Sequence, residues 1–160
     1  MKANWLSNEG QLGETIAAET LRQHGVLHEQ VDATDDAVYQ QPLDVLKAER
    51  GYPEQDIVEL SPQTPGLDGI CAKFVDEHYH DDDEVRFVLS GDGIFDIRSD
   101  DDRWMRVYVA TGDLIVVPAK RHHRFLLTDR RAIRCVRLFR DASGWVPHYR
   151  DQAAQAANCP

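Results

Sequence analysis

Cysteine is scarce and unpaired in this chain: there are three among 160 residues, Cys71, Cys135 and Cys159, widely spaced and in no CxxC pattern. An odd, scattered set excludes a disulfide framework and a thiolate zinc knuckle, and each is expected to be a small buried or surface thiol. Long apolar runs are missing too. The opening MKANWLSNEG has no basic stretch leading into an apolar one, so neither a secretory leader nor a membrane span is expected, and a cytoplasmic protein is. Positive charge is in deficit, with 18 Lys plus Arg against 28 Asp plus Glu and a net charge of −10. That field repels a phosphate backbone, and the small basic cluster Lys120, Arg121 and Arg124 does not reverse it, so no nucleic-acid partner is expected.

The length suits a single domain, 1–160, burying roughly 70% of its extended-chain surface. Leu12, Ile16, Ala17 and Leu21 fall at helical spacing with Gly25 where a cap would sit, so a helix is expected within about 10 to 24. A second is expected over 35 to 50, with Val45 and Leu46 apolar and Gly51 as the stop, and Pro42 marking its start or a kink. Residues 56 to 60 suit a strand before the turn-rich SPQTPG. The first sixty residues should thus be mostly helical. After residue 70 the texture changes to short apolar or alternating runs: KFVDEHYH, VRFVLSG, IFDIR, WMRVYVA, LIVVP, HRFLL and IRCVRLF. SGDG, SDDD, TGD, PAKR and TDRR separate them. Six or seven strands at roughly ten-residue spacing point to a mainly β sandwich or barrel over about 70 to 140. The polar, small-residue stretch at 150–160 reads as a loose tail.

One segment concentrates chemistry. EHYHDDDEVRF places two histidines one residue apart, then four acids, then an arginine among apolar residues. Residues two apart on a strand share a face, so Phe74, Asp76, His78 and His80 are expected to point one way. In the next strand Glu84, Arg86 and Val88 would share one face and Val85, Phe87 and Leu89 the other. A solvated turn accounts for DDDE alone. HxHxxxE followed by a later histidine in HHRF offers three imidazoles and one carboxylate, a set that suits Fe(II), Ni(II), Mn(II) or Zn(II). By composition either His122 or His123 serves as the last donor. GDLIVVPAKRHHRF supplies a glycine turn, a strand, a proline corner and then the histidines, which would return a late strand over the first pair.

These two segments resemble the two cupin motifs, and KFVDEHYHDDDEVRFVLSGDGIFDIR, GDLIVVPAKRHHRF and VRLFRDASGW are similar to the acireductone dioxygenase family of methionine salvage. The likeness extends over about 42 to 149 and implies a cupin double-stranded β-helix, the jelly-roll barrel, behind a few N-terminal helices. It places the metal ligands on His78, His80, Glu84 and His123, the last lying five residues after Pro118, with His122 turned toward solvent. Cupins usually carry glycine where this chain has Lys120. The resemblance also implies that Arg86 contacts substrate as the catalytic cation, that Phe74 and Phe125 wall the pocket, and that Arg137 and Trp145 belong to the site. Phe74, Phe125 and Trp145 would equally serve as packing residues, and Arg137 as a surface ion-pair partner. The implied substrate is an acireductone, 1,2-dihydroxy-3-keto-5-methylthiopentene, reacting with O2. The implied cofactor is one divalent ion: Fe2+, giving 2-keto-4-methylthiobutyrate and formate, or Ni2+, giving methylthiopropionate, formate and carbon monoxide. Four protein ligands would leave two adjacent positions for substrate oxygens, and Arg86 would complete neutralisation of the dianion. A monomer is expected. Another metal-dependent cupin enzyme, or a non-enzymatic cupin sensor, is the competing reading.

Overall fold

Period-two alternation dominates after residue 84, and it forms strands whose two faces meet different surroundings. The computed structural model describes residues 2–151. Its elements, in chain order, are β1 (Lys2–Leu6), β2 (Leu12–Thr15), α1 (Ala18–Gln23), β3 (Leu27–Gln30), α2 (Asp36–Arg50), β4 (Glu54–Leu60) and α3 (Leu67–Val75). There follow β5 (His78–Tyr79), β6 (Glu84–Arg98), β7 (Trp104–Ala110), β8 (Asp113–Val117), β9 (His123–Leu127), β10 (Ile133–Phe139), a 3-10 turn (Ala142–Trp145) and β11 (His148–Tyr149).

Two antiparallel sheets share one strand. The first runs β11-β5-β9-β6-β7-β1-β2, and the second runs β4-β10-β6-β8-β3. The first half of β6 pairs with β8 and β10, and its second half with β7 and β9. SGDG, expected to break the chain into two strands, is instead where β6 passes from one sheet to the other. Gly91 makes this possible: it sits at φ +79°, and a Cβ there would collide with the Ala132 carbonyl, beside a register shift at Arg134 and Cys135.

Between the sheets lies the main core, with Val88, Phe95, Ile97, Met105, Val107, Ile115 and Val117 all buried. A second apolar cluster lies where α2 covers the outer face of one sheet. Tyr39, Leu43 and Leu46 follow helical spacing and pack with Val85, Phe87, Leu114, Val116, Val136 and Leu138. Val85 and Phe87 are therefore on the helix side of β6, as the alternation requires, and Glu84 and Arg86 are on the other. Asp35 caps α2 by accepting from the Ala37 N–H, and Gly51 ends it at φ +74°. Pro42 lies inside the helix, not at its start. The carbonyl bond it forgoes belongs to Val38, half exposed at 49%. Val45 faces outward, while Leu46 is buried.

Several expectations give way. The predicted helix over 10 to 24 is half strand: β2 pairs with β1, the Ile16 N–H donates to Ala3 O at 2.8 Å, and only Ala18–Gln23 is helical. An available strand edge outcompetes the local spacing there. Its C-terminal signal holds, since Val26 N–H reaches Leu21 O and Gly25 N–H reaches Arg22 O, a Schellman ending. The first sixty residues are an almost even mixture of helix and strand, not mostly helix, because β1 to β4 all join the sheets. KFVDEHYH is mostly not a strand: Leu67, Ile70 and Phe74 lie on helix α3, which ends three residues before His78. Of the expected tail at 150–160, only Arg150 and Asp151 are described, and Arg150 is firmly paired; the remainder, with Cys159, lies outside the described residues. Cys71 is half-buried and Cys135 buried, both as free thiols. No described helix is long and apolar enough to cross a membrane.

Candidate metal centre

Short-range pairing brings the histidines together. In the β5–β9 ladder His78 stands directly opposite His123, and both are 2% exposed. His80 follows two residues on, and Glu84 opens β6 against Val117 of β8. One ligand-capable atom from each of His78, His80, Glu84 and His123 lies within 4.8 Å of all the others. Of the two candidates in RHH, the structure thus selects His123. His122 does not turn to open solvent: it is half-buried, with its ring edge-on to Tyr79 at 5.2 Å. Lys120 holds the glycine-like corner at φ +61°, with its N–H on the His80 carbonyl at 2.8 Å, so the departure from glycine leaves the corner's path intact.

The tautomers follow from backbone partners. His78 Nδ1 is 2.6 Å from Asp76 O and His123 Nδ1 is 2.8 Å from Arg121 O, each a carbonyl that only accepts. His80 Nδ1 faces Val146 O at 3.4 Å. Nδ1 therefore carries the hydrogen and Nε2 keeps its lone pair toward the cluster. Yet Glu84 Oε2 is 2.8 Å from His123 Nε2 and 3.2 Å from His80 Nε2. Acceptors so close need a proton or a metal cation between them, and three imidazoles with a carboxylate fit a borderline divalent ion. Burial pushes the Glu84 carboxyl up, but the Arg86 guanidinium and then His123 overturn that and hold it well below the usual carboxylate range. Burial, aided by the neighbouring His123, pulls the His78 imidazole down to about 4, keeping it neutral at physiological pH.

Beside the cluster is a cavity of about 480 Å³ whose walls include His80, Glu84, Arg86, Phe74, Phe125 and Cys135. Glu84 divides its two oxygens: Oε2 faces the imidazoles and Oε1 meets Arg86 Nη2 at 3.2 Å. Arg86 also donates from Nη1 to Val85 O at 3.0 Å, so its guanidinium is pinned at the boundary between donors and cavity. Phe74 and Phe125 meet edge to face at 6.3 Å. Phe74 reaches the cavity from α3 and not from a strand shared with His78, which corrects the expected shared face. Arg137 and Trp145 line the cavity too, but Arg137 is committed. It donates twice to Asp56, at 2.8 and 2.6 Å, and lies 3.9 Å over the Trp145 ring.

The sequence reading missed the C-terminal strap. After β10 the chain crosses the mouth of the site through the 3-10 turn, bringing Trp145 to the cavity and Val146 O to His80. Asp82 packs against Gly144, whose missing side chain makes room for the carboxylate; Asp81 bonds His148 at 3.1 Å. Asp83 takes the Ala119 N–H at 2.8 Å and the Tyr52 hydroxyl. The acidic run is thus neither a free solvated turn nor a spare set of ligands; it fastens three neighbours around Glu84. Arg150 closes the strap with bonds to Glu77 at 2.6 Å and Asp102 at 2.9 Å.

Residues 3–147 match the family model described as the ARD/ARD' family. The chain belongs to that family. An acireductone dioxygenase of Dictyostelium discoideum is 44% identical over 147 residues, covering 92% of this chain and 97% of that one. One from Bacillus cereus is 39% identical over 153 residues, covering 92% of this chain and 89% of that one. Among solved structures, an acireductone dioxygenase from Bacillus anthracis with a cadmium ion in its active centre superposes with a TM-score of 0.83. It is 33% identical and covers 93% of this chain and 98% of that one. The ARD/ARD' assignment and this superposition make the double-sheet barrel a cupin fold, as the two motifs implied.

Proposed function

We propose that the chain is a metal-dependent dioxygenase that cleaves 1,2-dihydroxy-3-keto-5-methylthiopentene, an acireductone, with O2. The observation that carries this is the sharing of Glu84 between the imidazole cluster and Arg86 at the edge of an aromatic-walled cavity. Family membership and the acireductone dioxygenase relatives support it. His78, His80, Glu84 and His123 would hold one divalent ion. When bound, that ion supplies Lewis acidity toward enediolate oxygens and a site for O2 chemistry. Fe2+ would yield 2-keto-4-methylthiobutyrate and formate, and Ni2+ would yield methylthiopropionate, formate and carbon monoxide; the donor set accepts either.

The chain's own residues bind, neutralise and exclude water. Arg86 presents a fixed cation to the substrate anion, already oriented by Glu84 and Val85 O, so little reorganisation is needed as charge redistributes. Phe74 and Phe125 would enclose the methylthio tail, for which an aromatic edge suits sulfur. Arg137, neutralised by Asp56, would hold Trp145 over the mouth and add polar contact without net charge. The enzyme would act as a monomer in the cytoplasm, whose reducing conditions the free Cys71 and Cys135 thiols suit.

The test is anaerobic titration with acireductone followed by oxygen uptake and product identification, on protein whose metal has been determined by elemental analysis. Stoichiometric oxygen consumption with carbon–carbon cleavage is expected. Metal-replete protein that binds acireductone without consuming oxygen would be a binding module, and one that rearranges it without oxygen an isomerase.

A further inference from the structure

We propose that Gly93 fixes how long an apolar tail the cavity accepts, by providing the seat into which the Phe125 ring withdraws. The inference builds on the reading of this cavity as the place where a substrate tail lodges. Gly93 lies in the second half of β6, buried, two residues before the core residue Phe95 and on its face. Unlike Gly91, it does not occupy the left-handed region, so the backbone has no need of glycine there. What requires it is space. A Cβ built at Gly93 would lie 2.6 and 2.7 Å from two carbons at the far edge of the Phe125 ring, and 3.2 Å from Ile133 Cδ1.

Phe125 and Ile133 both wall the 480 Å³ cavity. The ring cannot slide along the sheet, because its cross-strand partner Phe95, 2% exposed, stands 4.9 Å beside it. Displacement by a methyl group therefore presses the ring toward Phe74, which it meets edge to face across the cavity lining, and crowds Ile133 Cδ1. Both movements subtract from the end of the cavity at Ile133, which pairs with Gly91, five residues along β6 from Arg86. Gly93 touches no substrate in this account. It is a positioning residue whose lack of a side chain sets where the wall stands.

The test uses metal-replete protein under nitrogen and a straight-chain 2-keto acid series from pyruvate to 2-ketooctanoate, with affinity measured by calorimetry. Each methylene that fits should tighten binding about fourfold until the tail meets the wall, after which the gain stops. In Gly93→Ala the gain should stop at least one carbon earlier. In Phe125→Leu it should stop later, and in the Gly93→Ala/Phe125→Leu double variant it should return close to the original length. Pyruvate affinity serves as the internal reference, since general damage to the site would weaken every acid alike. A stopping point unchanged in Gly93→Ala and Phe125→Leu, or no tail dependence in the unmodified protein, overturns the inference. Oxygen consumption with acireductone judges the dioxygenase reading separately: a protein that turns over normally but shows no shift keeps its activity and loses this assignment of Gly93.

Discussion

The inner wall of the metal centre and the strap across its mouth meet at one cluster of imidazoles, but they are held in opposite ways. His78 and His123 face each other across a hydrogen-bonded ladder, and Glu84 sits at the head of a fifteen-residue strand paired on both sides. The strap has a two-residue ladder, β11 on β5, and one further backbone bond, Arg150 N–H to Glu77 O; otherwise it depends on side-chain bonds from Arg150, His148 and Tyr149. His80 belongs to both regions, since it follows β5 and its Nδ1 meets Val146 O of the strap at 3.4 Å. Chemistry that must not move is built on strands, and access to it is built on charge.

The largest effect should come from breaking the inner wall. Glu84→Ala removes the one anionic donor and leaves three lone pairs converging without a countercharge, so the purified protein should lack metal after dialysis. The loss should exceed the roughly 10- to 100-fold in affinity that changing an outer partner costs. Asp82→Ala, only two residues earlier, touches Gly144 of the strap and should retain its metal. Elemental analysis of the two variants checks this, and equal loss in both would erase the distinction between wall and loop.

Next in size is Arg86→Ala. Its guanidinium bridges from Glu84 to the cavity without contributing a donor atom, so metal content should stay near that of the unmodified protein. The rate should fall roughly 10²- to 10³-fold, the cost of removing one oriented charge stabiliser. Arg86→Lys should recover part of it, because a point charge remains but the fork that holds Val85 O and Glu84 together does not. Normal turnover of acireductone by Arg86→Ala would remove the case for anion neutralisation.

The inner wall was legible in the sequence and the strap was not, for a physical reason. His78, His80 and Glu84 are separated by two and four residues, and a strand with a short loop leaves such spacings few geometries. His123 was found because a proline corner and a hydrophobic strand bring it back predictably, though composition alone left it level with His122. The clasp joins Glu77, Asp102 and Arg150, which are far apart in the chain and look like ordinary surface charge until a fold brings them together. Helix α3 was hidden because its apolar positions merge into the strand-like HYH, so period two was read where 3.6 applied. Strands β2 and β3 were lost because their short, largely exposed segments signal nothing until a neighbouring edge is available. The Nδ1 acceptors are backbone carbonyls, which no residue identity discloses.

Arg150→Ala probes the softer region. Its ion pairs are partly exposed, with the side chain 41% accessible, so global stability should fall by no more than about 1 kcal/mol. Local consequences should be larger than global ones. The Arg150 N–H bond to Glu77 O at 3.0 Å should exchange faster, the strap should become more sensitive to limited proteolysis, and KM should rise severalfold with kcat less affected. Metal affinity should weaken less than tenfold, through His80 alone. A drop in metal content matching that of Glu84→Ala would mean that the strap is part of the inner wall after all.

The smallest expected effect separates the two regions by acidity. Burial pushes the Glu77 carboxyl up, but the Arg98 and Arg150 guanidinia overturn this and hold it below its ordinary value of 4.5. A carboxyl whose folded value is lowered binds protons more readily when the strap is released. Its contribution is therefore complete above about 4.5 and is lost as pH falls through the lowered folded value. Amide exchange at Arg150 should accelerate in that acidic window beyond the intrinsic pH dependence, while the barrel amides of Phe87 and Ile97 stay protected. In Arg150→Ala one of the two lowering cations is gone, so the transition should start at the same pH, end at a higher one and be smaller. If protection in the strap and barrel is instead lost together at one pH, the charged clasp is not a separate unit, and the division between a ladder-held wall and a charge-held strap does not stand.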